Sequence, residues 1–115
     1  MLIVDKDLVY YLSGPMCGIK DHNYPLFFQS AKLLREQGFN IINPAELHPI
    51  NYGEGFYPNS DEWIKLMKLD LIALINSASG LILLPNSRKS KGSRLEIRVA
   101  KELGMPVYKI KDIIY

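Results

Sequence analysis

Cysteine, long hydrophobic runs and an excess of one charge are all missing from this sequence. Cys17 is the single cysteine among 115 residues, so the chain can form no internal disulfide and no thiolate zinc cluster. No apolar run approaches the roughly 20 residues of a membrane-spanning helix. The first residues also lack the charged segment and long apolar core of a signal peptide. These absences predict a soluble cytoplasmic protein that has no membrane partner.

The charge is nearly balanced, with 14 Lys and Arg residues against 12 Asp and Glu residues and a net charge of +2. A surface that follows a nucleic-acid polymer needs clustered basic residues, so no nucleic-acid polymer is predicted as a partner. One local excess of basic residues remains, and it comprises Arg88, Lys89, Lys91, Arg94 and Arg98. This excess favours either an anionic ligand or a solvated surface cluster.

Apolar, strand-like segments alternate with helix-like segments along the whole chain. The predicted strands are residues 8–12, 39–42, 81–84 and 106–110, and the predicted helices are residues 24–37, a second helix capped by Ser60, and residues 92–103. Apolar strands joined by helices are typical of a parallel sheet covered on both faces. With right-handed crossovers, this order predicts one α/β domain over residues 1–115, a small doubly wound, Rossmann-like or flavodoxin-like fold with a single core.

The residues that follow the strands mark the predicted binding edge, because doubly wound folds bind ligands at the carboxyl ends of their strands. Ser13, Gly14 and Asn43 fall at such ends, so we expect them to contact a ligand. Ser13 offers a hydrogen bond and Gly14 lets a ligand approach the backbone, although an ordinary turn contains the same residues. Residues 45–59 are rich in Pro, Gly, Asn and Tyr and form a predicted long loop, which is typical of lids and binding loops.

The segment Ser90-Lys91-Gly92-Ser93 leads directly into the third predicted helix. Exposed amides at a helix N-terminus bind anions, and the hydroxyl groups of Ser90 and Ser93 add donors. The alternative is that a serine only caps the helix. The glycine spacing matches neither a Rossmann fingerprint nor a P-loop, so neither of those phosphate sites is predicted.

Glu96 and Asp70 are the candidate catalytic carboxylates. Glu96 follows Ser93 by three residues, which is the spacing of a capping box. The helix dipole would also keep this carboxylate ionised, as attack on a glycosidic bond requires. Asp70 lies between Leu69 and Leu71 in the second helix, so it is either a partly buried carboxyl group or a surface residue. Pairs of carboxylates commonly cleave glycosidic bonds.

Four other residues suit chemistry less well. His22 and His48 lie in predicted loops without the spacing of metal ligands, so both are predicted to be surface residues. Cys17 has no evident histidine partner and is interpreted as a small loop residue. Trp63 begins an apolar helical face and is predicted to lie in the core.

Three motifs, in order along almost the whole chain, resemble the nucleoside 2-deoxyribosyltransferase-like superfamily. They are YLSGPM after the first strand, NPAE after the second, and SKGSRLEIRVAKELGMPVY near the end. The sequence is most similar to a small branch from phages and bacteria that is related to the 2′-deoxynucleoside 5′-phosphate N-hydrolases. The resemblance implies an N-glycosidase that cleaves or transfers the base of a (deoxy)nucleoside 5′-monophosphate, without a metal or organic cofactor.

The resemblance also implies a role for each matching residue. Glu96 would attack the anomeric carbon, Asp70 would assist the base or orient the site, and Tyr11 would position the nucleophile or sugar. Ser90 and Gly92 would hold the 5′-phosphate. The sugar and base would be lined by Ser13, Gly14, Pro15 and Met16.

Superfamily members assemble as dimers or larger oligomers, so the resemblance implies a homo-oligomer. The expected contact surface comprises Tyr52, Phe56, Tyr57 and Trp63. Related hydrolases often carry an arginine in the first loop, where this chain has Cys17, and Arg94 or Arg98 would either replace it or face solvent. The alternative function is a non-catalytic module that binds a nucleotide or an ADP-ribose-like ligand.

Overall fold

The computed structural model describes residues 3–48 and 59–114, with the side chain of residue 114 excepted. Within those ranges the strands are β1 (Val9–Ser13), β2 (Asn40–Ile42), β3 (Gly80–Leu83) and β4 (Val107–Lys109). The helices are α1 (Tyr24–Glu36), α2 (Ser60–Ser77), α3 (Lys91–Glu102) and the short α4 (Lys111–Ile114). Short 3-10 helices lie at Lys20–Asn23, Pro44–Glu46 and Ser87–Lys89. None of the helices in the described ranges combines the length and hydropathy that crossing a membrane requires.

The strands of the described residues form one parallel sheet in the order β2-β1-β3-β4. Tyr11 of β1 lies opposite Ile42 of β2 on one side and Leu81 of β3 on the other. The chain leaves β1 toward one edge of the sheet and later enters β3 on the other side of β1. The topological switch point therefore lies between β1 and β3, and the predicted doubly wound α/β fold is confirmed.

Alternate residues of β1 point to opposite faces of the sheet and divide the buried apolar residues into two layers. Tyr10 and Leu12 pack on one face with Phe27 and Leu34 of α1. Tyr11 packs on the other face with residues of α2 and α3, among them Leu74, Ile97 and Ala100. Each large apolar side chain that is fully buried contributes roughly 1.5–3 kcal/mol to folding, so both layers matter. The two layers lie on the two faces of one sheet, as the predicted sheet covered on both faces requires.

Side-chain caps fix where α2 and α3 begin. The Asn59 side chain accepts a hydrogen bond from the Glu62 amide, and the Glu62 side chain accepts one from the Asn59 amide, which completes a capping box. The predicted cap at Ser60 is therefore wrong by one residue. Ser90 caps α3, because its hydroxyl accepts a hydrogen bond from the Ser93 amide at 3.2 Å.

Candidate functional site

β1 ends beside the switch point and presents two polar side chains to the face that α3 covers. Tyr11 and Ser13 are two residues apart on a strand, so they point to the same side. The following Gly14 lies against the end of β3, where a Cβ atom would come within 2.9 Å of Leu84 Cβ. The Ser13 carbonyl also accepts a hydrogen bond from the Leu84 amide at 2.8 Å. The close approach of these two segments therefore requires glycine at position 14.

The Glu96 carboxyl group is hydrogen-bonded to β1 through both of its oxygens. The Tyr11 hydroxyl donates to Oε2 at 2.6 Å, and the Ser13 hydroxyl donates to Oε1 at 2.7 Å. Ser93, one turn earlier in α3, has its hydroxyl oxygen 3.0 Å from Ser13 Oγ. Glu96 itself is only 4% exposed. The carboxyl group is thus buried and fixed in orientation at the point where β1 and α3 meet.

Glu96 lies in the second turn of α3, because the cap is Ser90 rather than Ser93. The capping-box prediction is therefore wrong, and the effect of a helix dipole is confined to the first turn. Burial raises the pKa of Glu96 from 4.5 to about 8, and the charge of Asp70 adds a smaller increase. The hydrogen bonds from Tyr11 and Ser13 act in the opposite direction and lower this pKa. The predicted permanently ionised carboxylate is wrong. Burial and the Glu96 charge also raise the pKa of Tyr11 well above its ordinary value, so its phenol stays protonated.

Asp70, on α2, is bonded to a histidine that follows β2. Asp70 Oδ1 lies 2.9 Å from His48 Nε2, and the Tyr24 hydroxyl oxygen lies 2.8 Å from His48 Nδ1. Burial raises the pKa of Asp70, whereas the hydrogen bond and charge of His48 act to lower it. Both His22 and His48 are buried, so their predicted surface positions are wrong. Burial, and then the nearby His48, lower the pKa of His22 to about 4.

An open pocket of about 180 Å³ brings these groups together with the N-terminus of α3. Among the residues predicted for the site, the pocket is lined by Tyr11, Gly14, Pro15, Met16, Asp70, Ser90, Gly92, Ser93 and Glu96. Apolar, basic and imidazole side chains complete the lining, including His22, Phe27, His48, Trp63, Leu66, Met67, Lys89 and Lys91. The pocket therefore combines two carboxyl groups, an apolar wall and basic side chains beside a helix N-terminus.

Two residues that were predicted to bind a ligand do not line this pocket. Ser13 is fully buried, and its hydroxyl group contacts two lining residues, Glu96 and Ser93. Asn43 is buried as well, and its side chain accepts a hydrogen bond from the Ala45 amide at 3.0 Å. Asn43 thereby stabilises the 3-10 turn that leads toward His48.

Arg94 and Arg98 lie away from the pocket. Together with Arg88 and Lys101 they line a separate depression on the surface of α3. Neither arginine therefore occupies the place of the first-loop arginine that related hydrolases often carry. Cys17 is exposed at the edge of the main pocket, in keeping with its interpretation as a loop residue.

Trp63 was predicted to lie in the core, but its side chain lines the pocket. The Lys91 ammonium nitrogen lies 4.4 Å from the centre of the Trp63 ring, within the range of a cation–π interaction. The other residues of the expected oligomer contact, Tyr52, Phe56 and Tyr57, fall outside the described residues. Across residues 3–48 and 59–114, no three His, Cys, Asp or Glu side chains come together in a way that would hold a metal ion.

Comparison with known proteins assigns the family and supports the fold. A family model described as a domain of unknown function, DUF4406, matches residues 8–109. The chain belongs to the DUF4406 family. No curated protein matches this DUF4406 chain in sequence.

Among solved structures, the DUF4406 chain is similar to a 2-deoxyribosyltransferase from the psychrotolerant bacterium Bacillus psychrosaccharolyticus. The two share 19% sequence identity with a TM-score of 0.62, over 88% of this chain and 70% of that enzyme. The fold is therefore like that of a nucleoside deoxyribosyltransferase, as the motifs in the sequence indicated.

Proposed function

We propose that this protein is an N-glycosidase that cleaves or transfers the base of a (deoxy)nucleoside 5′-monophosphate, with Glu96 as the nucleophile. The observation that carries the proposal is the Glu96 carboxyl group, held at both oxygens by Tyr11 and Ser13. Asp70 lines the same pocket and supplies a second carboxyl group. The similarity of fold to a 2-deoxyribosyltransferase supports this class of chemistry.

The reaction begins when an ionised Glu96 oxygen forms a bond to the anomeric carbon of the sugar. The bond between that carbon and the base nitrogen breaks, and its electron pair stays with the base. The departing base takes up a proton that Asp70 supplies. Water or a second base then attacks the anomeric carbon and gives its proton to the Asp70 carboxylate. The bond between that carbon and the Glu96 oxygen breaks, and Glu96 leaves as the ionised carboxylate. Tyr11 and Ser13 serve both steps, because their hydrogen bonds hold the carboxylate in one orientation.

The N-terminus of α3 is the proposed site for the 5′-phosphate. Ser90 and Gly92 line the pocket at the first turn of this helix, where backbone amides and the helix dipole favour an anion. Lys89 and Lys91 line the same part of the pocket and add two positive charges. A phosphate bound there gains charge-assisted hydrogen bonds, which a nucleoside without the phosphate cannot form.

An apolar wall of the pocket is the proposed surface for the base. It comprises the lining residues Met16, Trp63, Leu66 and Met67. Aromatic and thioether side chains bind the faces of flat heterocycles without requiring one particular pattern of hydrogen bonds. This wall accommodates a base, and the polar groups around it would decide which base is preferred.

A second copy of the chain is the proposed partner. The outward face of α2 exposes four large aliphatic side chains, Ile64, Leu69, Ile72 and Ile75. A two-fold axis beside α2 would bury the same patch of both copies against itself. Light scattering of the purified protein tests this: a dimer or larger assembly that Ile72→Glu dissociates supports it, and a monomeric wild type contradicts it.

A non-catalytic nucleotide-binding module is the second candidate function, and the raised pKa of Glu96 favours it. At neutral pH the unliganded carboxyl group is mostly protonated. A neutral carboxyl group can form hydrogen bonds to ribose hydroxyls, but it is a poor nucleophile. In such a module the same pocket would bind a nucleotide or an ADP-ribose-like ligand without turnover.

Base release distinguishes the two candidates. The protein is incubated with nucleosides and their 5′-monophosphates, and free base is followed by chromatography, with Glu96→Gln and Glu102→Gln in parallel. Glu102 is the matched control, since it is an exposed glutamate of the same helix.

Release of base by the wild type and Glu102→Gln, but not by Glu96→Gln, supports the glycosidase. Release by Glu96→Gln at the wild-type rate excludes a Glu96 nucleophile. Thermal stabilisation by a nucleotide without any release supports the binding module.

A further inference from the structure

A chain of hydrogen bonds leads from α1 to the second carboxyl group of the pocket. The Tyr24 hydroxyl lies 2.8 Å from His48 Nδ1, and His48 Nε2 lies 2.9 Å from Asp70 Oδ1. The His48 side chain is 1% exposed and the Asp70 side chain is 10% exposed. His48 and Asp70 both line the pocket, so the end of this chain faces the ligand space.

These two contacts are compatible with a neutral and with a protonated His48 ring. When the Tyr24 hydroxyl donates to Nδ1 of a neutral imidazole, the ring proton lies on Nε2 and is donated to Asp70. When the ring is protonated, Nδ1–H donates to the Tyr24 oxygen and Nε2–H still donates to Asp70. Both protonation states of His48 therefore keep the same bond to Asp70 and keep the carboxyl group in one orientation.

We propose that His48, oriented by Tyr24, is the positioning residue for Asp70, and that the His48–Asp70 pair delivers the proton that the departing base takes up. This inference rests on the proposed glycosidase function. As the bond from the anomeric carbon to the base breaks, the Asp70 carboxyl group gives its proton to the base nitrogen. When water or a second base attacks the anomeric carbon, the proton that it loses returns to the Asp70 carboxylate, and His48 Nε2–H stays bonded to Asp70. The total charge and the number of protons are conserved at every step.

Other titratable and charged groups surround the pair, and they determine how its pH dependence is read. They are Tyr11 of β1, Glu96 of α3, His22 and Tyr24 beside the His48 ring, and Lys89 and Lys91 at the pocket. With pKa values of about 4 for His22 and about 8 for Glu96, the His22 ring is neutral and Glu96 ionises in the assay range. Glu96 ionisation raises activity with increasing pH, whereas loss of the proton from the pair lowers it.

Comparing two leaving bases, one that needs a proton and one that does not, distinguishes proton delivery from a merely structural role of His48. An N7-methylated purine nucleotide carries a positive charge on its base, so the base departs neutral without taking up a proton. The unmethylated purine needs that proton. Loss of the delivering pair should therefore slow release of the ordinary base much more than release of the methylated base.

The experiment measures release of guanine and 7-methylguanine from the two 5′-monophosphates by the wild type, His48→Gln and Tyr24→Phe. For guanine we expect kcat to fall about 10- to 100-fold in His48→Gln, because a misoriented Asp70 loses part of the roughly 100- to 10,000-fold that general acid catalysis contributes. For 7-methylguanine we expect kcat to fall less than threefold in the same variant. The pH at which activity with guanine is lost on the alkaline side should also differ between His48→Gln and the wild type. Tyr24→Phe removes one oxygen and should change the ratio of the two rates in the same direction. Tyr108→Phe, a hydroxyl deletion on β4 outside the pocket lining, is the control.

The outcomes separate this inference from the function on which it rests. A wild type that releases no base from any nucleotide overturns the proposed function and the proton delivery with it. A wild type that releases both bases, with the same rate ratio in all variants, overturns the role of His48 alone. Nitrogen-15 NMR gives a readout without turnover, because the chain has only two histidines. At neutral pH we expect the His48 ring signals to change in Asp70→Asn and Tyr24→Phe, and unchanged signals overturn the hydrogen-bonded chain.

Discussion

The Tyr11 hydroxyl lies 2.6 Å from Glu96 Oε2 and joins two residues that are 85 positions apart in the chain. One is in the central strand β1, and the other is in the second turn of the helix that follows β3. The pairing depends on the switch point, since α3 covers the face of the sheet to which Tyr11 points. The bond is buried, so neither group can replace its partner with bulk water, and loss of one leaves the other unsatisfied.

Removal of this hydroxyl should alter catalysis and its pH dependence together. The hydrogen bond from Tyr11 lowers the pKa of Glu96, so Tyr11→Phe should raise that pKa above about 8. The rise of kcat/KM with pH should then move to higher pH, and the rate at neutral pH should fall about tenfold or more. Tyr10→Phe is the matched control, because the Tyr10 hydroxyl lies on the opposite face and donates to the Asp5 carbonyl. Identical pH profiles for Tyr11→Phe and the wild type would contradict this assignment.

The raised pKa of Glu96 also predicts how stability depends on pH. Between pH 4.5 and about 8 the folded protein holds a proton on Glu96 that the unfolded chain has released. The stability contributed by that proton is complete below pH 4.5 and is lost as the pH rises toward 8, because the folded state binds more protons. Asp70, whose pKa is also raised, acts in the same direction.

Glu96→Gln removes this titration and should stabilise the fold as the pH rises. One unit of pKa shift corresponds to about 1.4 kcal/mol, so a shift from 4.5 to about 8 predicts a gain of about 3–4 kcal/mol near pH 8 relative to pH 5. Urea unfolding of the wild type and Glu96→Gln at about pH 5, 7 and 9 measures the difference. A difference in unfolding free energy that stays constant with pH would show that Glu96 has no raised pKa.

The proposed phosphate site predicts a substrate-dependent effect of Lys91. Lys91→Ala should raise KM for a nucleoside 5′-monophosphate about tenfold and leave KM for the corresponding nucleoside nearly unchanged, because only the phosphate meets the lysine. Lys101→Ala removes the same charge from an exposed position further along α3. Steady-state kinetics with both substrates measures the effect. Equal increases of KM for the nucleotide and the nucleoside would place the phosphate elsewhere.

The close approach of Gly14 to Leu84 predicts that substitutions at these two positions affect stability jointly. A Cβ atom at this position lies 2.9 Å from Leu84 Cβ, so Gly14→Ala should destabilise the fold by about 1–3 kcal/mol. Leu84→Ala should cost about 2–5 kcal/mol, because Leu84 is buried. The double variant keeps the contact with Leu84 Cβ but loses those with Cδ1 at 3.1 Å and Cγ at 3.3 Å, so the two effects should be less than additive by about 0.5 kcal/mol. Additive losses in thermal or urea unfolding would show that Cδ1 and Cγ contribute nothing to the overlap.

Much of the architecture could be predicted from the sequence. Strands such as residues 81–84 are apolar throughout, which is the pattern of a strand buried on both faces, and glycine or proline follows the elements. Tyr11, Asp70 and Glu96 could be named in advance because the motif order placed them at the ends of strands and on the covering helices. The structure brings all three into the lining of one pocket.

Apart from the two helix caps, which are local, the errors concern contacts that arise only when distant segments meet. His48 and Asp70 are 22 residues apart and come together through the crossover from β2 to α2, so neither local spacing nor composition indicates the pair. The pKa of Glu96 depends on the depth of its burial, whereas the position along a helix indicates only the dipole. Trp63 has the helical spacing of a core residue, but the same spacing also suits a residue that faces a pocket.

A covalent intermediate on Glu96 is the feature that separates this mechanism from simple nucleotide binding. The most direct measurement is the intact mass of the protein after mixing with a nucleoside 5′-monophosphate and rapid acid quenching, followed by peptide mapping. We expect an added mass equal to that of the sugar phosphate less one water molecule. It should be located on the peptide that contains Glu96, present in the wild type and absent in Glu96→Gln. Base release without any adduct in the wild type, or an adduct on another residue, would contradict Glu96 as the nucleophile.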